Sequence, residues 1–456
     1  MTKIIFSFDT EDFINPKGVD GILNTAEILE KAGIRGCYNV VAWFAQALVK
    51  WGRKDAIEAL CRHEIETHSM RHLHHPTICE YTDIDDFDEA MRLFRTEEDN
   101  ALQIMQDIFG NDSFYAACAP GNSLSYVARY GYADMGIPIY DGDSAVNDIV
   151  QNRPVTCSNI DCLVYNYCMD NFPHLDKEDI LKRIDEIANY DIFIAYHHPQ
   201  KSRIDQFCDL LNFVGHNREE WIESNPLPAE ATAKFIENFQ FFVDTLKKDS
   251  RFEFVTYKDI AEIYAPGERI IRQSDIPELK RLLDEDFFPV TLPDSYSISD
   301  ILLACRDFLL GKEEHKCEKV YGFLNPPFAI TQPVKVSAED MRKSATQIED
   351  GKFLPTEIWV GDKKLGTADW LRAALIILSG KSEAVVSPDK WQIDLSEFPT
   401  LRDMELKSFV IYPEEFEDKY ISDRCRLQTW TIRLPKGTQR KIFAPGLKET
   451  FQSTPR

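Results

Sequence analysis

The chain has 456 residues, 44% of them apolar and 28% charged, a globular composition that excludes a largely disordered protein. Lys and Arg total 52 against 76 Asp and Glu, a formal net charge of −24, and so acidic a surface repels phosphate backbones and argues against nucleic-acid binding. No stretch approaches the roughly 18–20 uninterrupted apolar residues of a membrane helix, and the 11 cysteines fall without regular spacing, as reduced thiols in a cytosol do.

Met1-Thr2-Lys3 runs straight into Ile4-Ile5-Phe6-Ser7-Phe8 without a charged n-region, a long apolar h-region or a small-residue cleavage site. The expectation is a soluble cytoplasmic protein, with export by a non-standard route as the minor alternative. From there to about residue 265, apolar runs predict strands at Lys3–Phe8, Gly36–Val41, Phe114–Ala117, Pro138–Tyr140, Ile192–Tyr196 and Phe252–Thr256. Amphipathic stretches between them predict helices over Val19–Ala32, Arg53–Arg62, Phe87–Phe109 and Lys177–Ala188, with Gly33 and Gly110 as stops. This alternation predicts an α/β fold, a parallel sheet with helices outside it, either a barrel or an open sheet, over residues 1–265. Ala265-Pro266-Gly267-Glu268 marks a boundary.

Beyond it the chain echoes itself. Asp286-Phe287-Phe288-Pro289 precedes the apolar run Ser299–Cys305, and Lys352-Phe353-Leu354-Pro355 precedes Ala368–Ala374. Each copy reads as a polar helix, F-[FL]-P, a short extended piece and an apolar helix, so 270–385 is expected to be a smaller, mainly helical domain of two repeats. Residues 386–456 read as β-rich, from Ser408–Tyr412 and the alternating Trp430, Ile432 and Leu434, and end in a loose tail.

Half of the 10 histidines fall between positions 63 and 75. His68 and His72 stand four apart, so a helical turn would put both imidazoles on one face, where they can grip a divalent metal. The missing acid is offered by Asp9-Thr10-Glu11-Asp12, just past the first strand, where parallel sheets place their sites. In extended geometry Asp9 and Glu11 share one side and Asp12 takes the other, so one acid can accept a proton while a second holds the metal. His197-His198-Pro199 ends a late strand, and one of the two histidines can serve as general acid. Cys118-Ala119-Pro120-Gly121-Asn122 follows another strand, and its Pro120-Gly121 turn is the candidate for donating backbone N–H groups to a developing oxyanion.

In order, Asp9-Thr10-Glu11-Asp12, His68-Ser69-Met70-Arg71-His72, Cys118-Ala119-Pro120 and His198-Pro199 resemble the motifs of the NodB-homology polysaccharide deacetylases, carbohydrate esterase family four. The lead-in His63-Glu64-Ile65 and the closing Phe254–Ile260 resemble the same family. The resemblance implies a distorted (β/α) barrel with one divalent metal at its mouth, zinc first, with cobalt, nickel and iron compatible. It implies Asp9 as catalytic base, His68 and His72 as metal ligands, and Glu11 as the carboxylate ligand, with Asp12 as the fallback. His198 matches the general acid, with His197 second. The implied reaction is hydrolysis of an N-acetyl amide on an amino-sugar glycan or a related small amide, and no nucleic-acid or membrane partner is expected.

The family's brace for the base is an arginine, and this chain has Cys118 there; Arg71 or Arg129 would have to substitute. Ser144, after Tyr140-Asp141-Gly142-Asp143, stands where the family carries an aromatic. These departures leave a catalytically silent carbohydrate-binding or scaffold homologue as the alternative. A phosphatase using Asp9 as nucleophile is the weakest reading, because it leaves the histidines without a task. Phe353–Gly361 with the helix around Trp370 resembles pseudomurein-binding repeats, which implies glycan binding by 270–385; a structural cap packed on the barrel is the alternative.

Overall fold

The computed structural model describes residues 1–142, 152–291, 293–388 and 410–438. By their internal contacts the chain forms two units, one from Met1–Arg153, Ile160–Tyr264 and Pro399–Ile421, the other from Pro154–Asn159, Ala265–Phe398 and Ser422–Arg456.

The first unit is built on β1 (Thr2–Thr10), β2 (Cys37–Val40), β3 (Glu64–Thr67), β4 (Ala116–Cys118) and β5 (Ile139–Asp141). After β6 (Val155–Cys157), which belongs to the second unit, come β7 (Ile160–Leu163), β8 (Tyr167–Cys168), β9 (Ile192–His197) and β10 (Phe252–Phe254). Their spatial order is β7-β5-β4-β3-β2-β1-β9-β8, with β10 also beside β1. Neighbours run parallel throughout.

Strand β1 is the axis. Ile4, Ile5, Phe6 and Phe8 are all buried, the continuous apolar run of a strand covered on both faces. One edge pairs Lys3–Phe8 with β9; the other is shared, Thr2–Ile4 with β10 and Ser7–Thr10 with β2. Helices such as Asp20–Ala32, Phe87–Phe109 and Ala229–Lys248 accompany the sheet. Phe239 and Phe242 of the last pack edge-on to Phe6 at 5.9 and 6.1 Å. Gly33 and Gly110 end their helices at φ 70°, a conformation costly for a residue with a Cβ. Strands β7 and β8 do not pair with each other among the described residues, so the (β/α) barrel is distorted and incomplete. All these strands deliver their carboxyl ends, and the loops behind them, to one rim.

Of the strands β1–β10, four had no counterpart in the sequence reading: β3, β6, β7 and β8. Strand β3 was disguised by its charges. Glu64 and Glu66 are both buried; Glu66 accepts the Tyr115 and Ala116 N–H groups at 2.6 and 2.8 Å, and Glu64 that of Lys258 at 3.1 Å.

The second unit carries the echo as a duplication. Its first copy runs β11 (Ile270–Arg272), helix Ile276–Glu285, a bridge between Val290 and Tyr296, helix Ile298–Leu309 and β12 (Glu314–Lys316). Its second runs β13 (Val334–Ser337), helix Ala338–Ser344, the hairpin β14 (Glu357–Val360) and β15 (Lys363–Gly366), helix Thr367–Leu378 and β16 (Glu383–Val386). In each copy the first and last strands pair antiparallel. Asp300 and Asp369 cap the apolar helices by accepting the Ser297 and Gly366 N–H groups at 2.8 and 3.3 Å.

The β-rich reading of 386–456 needs correction where it can be compared. Within 410–438 the chain forms helix Ile421–Leu427 and a tight turn at Gln428–Thr431, with a single bridge from Arg433 to Thr156. Trp430 sits in that turn because its ring lodges against Phe323 and Phe287 at 4.9 and 5.6 Å, so packing outweighs the alternation. The proposed strand's Ser408, the tail and Ser144 lie outside the described residues. No described helix is long and apolar enough to cross a membrane.

Candidate metal centre and active site

A cavity of about 490 Å³, counting its open mouth, lies at the rim of the first unit. Asp9, Glu11, His68, His72, His198, Tyr165 and Asp209 line it together with the apolar Leu73, Tyr196, Phe207 and Leu210.

Glu11 leaves the end of β1 and meets both histidines of the β3 loop. Its Oε2 lies 3.3 Å from His68 Nε2 and 3.1 Å from His72 Nε2. The helical spacing expected for this pair is not what joins them. His68 to His72 is a loop in which Ser69 and His72 take φ of 70° and 51°. Its shape is held by the Ser69 Oγ, which accepts the His72 N–H at 3.1 Å, and by the Ala42 and Trp43 N–H groups on Ser69 and Met70 carbonyls. Asp12 turns away and caps its own turn, accepting the Ile14 and Asn15 N–H groups at 3.0 and 2.9 Å.

The donor set fits a divalent cation. His68 Nδ1 lies 3.2 Å from the Cys118 carbonyl oxygen, which can only accept, so that nitrogen carries the proton. Burial lowers the His68 pKa and keeps the ring neutral, so Nε2 turns a bare lone pair toward the Glu11 carboxylate. Burial pushes Glu11 up to about 7, against the pull of His72 and His198. A single proton on Glu11 can satisfy one of its two imidazole neighbours. A cation satisfies all three atoms, which lie within 4.8 Å of one another. A second set, Asp9, His68 and Cys118, is as compact. There burial and the Asp9 charge push the thiol well above its ordinary range, which disfavours the thiolate a metal would need.

Beside this cluster stands Asp9, whose Oδ1 accepts from Asn39 Nδ2 at 2.7 Å and from the Tyr165 hydroxyl at 3.1 Å. Neither arginine suggested as a substitute brace is among these partners. Arg71 faces Glu97 at 3.7 Å, and Arg129 is buried in helix Tyr126–Asp134. Cys118 Sγ lies 3.7 Å from Asp9 and contacts the Tyr165 hydroxyl, so an amide and a phenol stand where a guanidinium was expected.

His198 lines the cavity, its Nε2 3.7 Å from Asp9 Oδ2, while His197 is fully buried with its ring stacked on Phe235 at 4.3 Å. Asp170 anchors both: it accepts from His197 Nδ1 at 2.6 Å, from His198 Nδ1 at 2.7 Å and from the His198 N–H at 3.0 Å. Burial favours the neutral ring of His198, but the negative charges of Asp170 and Glu11 prevail and push it up to about 10. Gly121 lines the cavity wall at φ 57°, whereas Pro120 is not among the lining residues. The Asn122 and Ser123 N–H groups of that turn are spent on Ala119 and Pro120 carbonyls.

Asn39, Tyr165, Asp170 and Asp209 were not singled out from sequence. Each arrives alone from a different segment. Only Asn39 left a trace, since it stands in a predicted strand and in register with Asp9.

No family model and no curated protein matches the sequence. Among solved structures, a Mycobacterium smegmatis protein assigned as a polysaccharide deacetylase is 13% identical, with 57% of this chain and 89% of that one covered, at a TM-score of 0.40. The 4-α-glucanotransferase of Thermococcus litoralis is 11% identical, with 62% and 46% covered, at 0.38. A family 4 acetyl xylan esterase from Clostridium thermocellum, in complex with cobalt, is 13% identical, with 58% and 93% covered, at 0.34. These likenesses are slight.

Proposed function

We propose that this chain is a divalent-metal-dependent deacetylase of the NodB-homology type, hydrolysing the N-acetyl amide of an amino-sugar glycan or a related small amide. The observation that carries the reading is the convergence of Glu11, His68 and His72 on one point beside an acid, Asp9, and a buried histidine, His198. Glu11, His68 and His72 would hold the metal, zinc being the first choice for two imidazoles and a carboxylate. When bound, it supplies Lewis-acid polarisation of the amide carbonyl and lowers the pKa of a water.

The protein's own groups do the rest. Asp9 takes the proton from the attacking water as oxygen adds to the carbonyl carbon. Asn39 and Tyr165 keep its carboxylate aimed into the cavity. His198, charged through its bond to Asp170, gives its Nε2 proton to the amide nitrogen as the C–N bond breaks, leaving acetate and a free amine. Tyr165, Tyr196 and Phe207 offer aromatic walls to a sugar ring. In the same reading the duplicated unit helps to hold glycan.

The uncharged brace on Asp9 favours a second reading, a silent homologue that binds carbohydrate and metal without turnover. Acetate release from N-acetylated sugars, assayed with added zinc and again after chelation, separates the two. Release that chelation stops supports the enzyme. Zinc binding without release supports the silent homologue.

A further inference from the structure

Asp209 lies outside every motif noted in the sequence, on the short helix Cys208–Asn212. It nonetheless reaches the centre of the site. Its Oδ1 lies 3.1 Å from His72 Nδ1, and its side chain is 5% exposed. The opposite edge of that imidazole faces Glu11, with Nε2 3.1 Å from Oε2. One ring is therefore held between two carboxylates, each on a different nitrogen.

The helix is fixed where it stands. Asn212 donates Nδ2 to the Ile222 carbonyl at 3.0 Å and accepts the Ile222 N–H at 2.7 Å, which ties off the segment that follows. On its other flank the Phe213 ring stacks on Phe13, close behind the acidic motif, at 5.9 Å. His68 Nδ1 instead hydrogen-bonds a neutral carbonyl, that of Cys118, at 3.2 Å. The two imidazoles thus differ in what backs them.

Resting on the metal reading above, we propose that Asp209 is a positioning residue. Its carboxylate holds the proton on His72 Nδ1, orients the ring and makes Nε2 the stronger of the two histidine donors to the cation. An acid behind a ligating imidazole fixes its tautomer and raises its basicity, and its loss weakens metal affinity about 10–100-fold.

The test is zinc affinity of the full chain, measured by competition with a chromophoric chelator, for wild type, Asp209→Asn and Asp209→Ala. Asp209→Ala is expected to bind zinc about 10–100-fold more weakly. Asp209→Asn, which keeps an acceptor but no charge, is expected to fall between. Equal zinc affinity in all three proteins overturns the proposal. Because a variant can fail to fold, the tautomer is also read in metal-free wild type by nitrogen-15 NMR of the histidine rings. A proton on His72 Nδ1, with or without a second one on Nε2, supports the proposal, and a bare Nδ1 overturns it. Wild type that binds no zinc overturns the metal reading and this proposal together.

Discussion

Buried histidine–carboxylate contacts occur in both units, and they differ in how the charge is settled. In the second unit Asp307 accepts from Arg306 at 2.6 Å, from Lys312 at 3.0 Å and from His315 at 2.8 Å. Burial opposes its charge, but those three donors prevail and hold the carboxyl well below its usual range. At the cavity of the first unit, the described side-chain partners of Asp9, Glu11 and Asp209 are histidines, amides, a hydroxyl and thiols, with no lysine or arginine among the described lining residues. A balanced cluster stabilises its own fold. An unbalanced one, open at a rim, has room for a cation and for substrate.

The sharpest way to break this contrast is Asp9→Asn. We expect it to bind zinc as wild type does while acetate release falls about 10²–10⁴-fold; unchanged release would remove Asp9 from the reaction. Asp170→Asn strikes the acid side. It should cost about 10–100-fold in activity and move the alkaline limb of the kcat/KM profile to lower pH. His198 must stay protonated to act, and the Asp170 charge is what raises its pKa. An unmoved alkaline limb would contradict the role given to that pair.

A third test uses pH alone. Glu11, pushed up to about 7 by burial, must be deprotonated to hold a cation. Zinc affinity should therefore be steady above that pH and fall up to about tenfold per unit below it. Flat affinity from pH 8 to 5 would point to other ligands. The last prediction concerns the balanced cluster. Asp307→Ala removes the buried one of the two carboxylates on Arg306, which keeps Asp350 at 2.6 Å, and should destabilise the second unit by about 2 kcal/mol in a thermal melt. Acetate release below the transition should stay within about twofold. A large loss of activity would show that the two clusters are not as separate in purpose as their charges suggest.

What was legible in the sequence was what lies close together along it. Asp9, Glu11, His68 and His72 come from two short stretches, and β1 declares itself through an apolar run that ends in acids. The route by which they meet was not legible. The histidine spacing suggested a helix, whereas left-handed residues at Ser69 and His72 and the Ser69 hydroxyl build the actual loop. Tyr165, Asp170 and Asp209 are set by tertiary contact, and no local pattern marks them. The parallel sheet was read from strand–helix alternation and the barrel only from the family resemblance, yet β3 escaped because the backbone groups that Glu64 and Glu66 bond are remote in sequence. The tail misled for the converse reason: an alternating pattern at Trp430 gave way to ring packing.

The single carboxylate gripping two neighbouring rings makes the histidine doublet asymmetric. His197, face to face with Phe235 and tethered at Nδ1, works as a guy-rope for the strand end. It cannot swing round as an understudy when its neighbour is deleted. Moving the doublet by one position would trade the working ring for the tethered one, so the interval between the end of β9 and Pro199 is as constrained as the identity of either histidine.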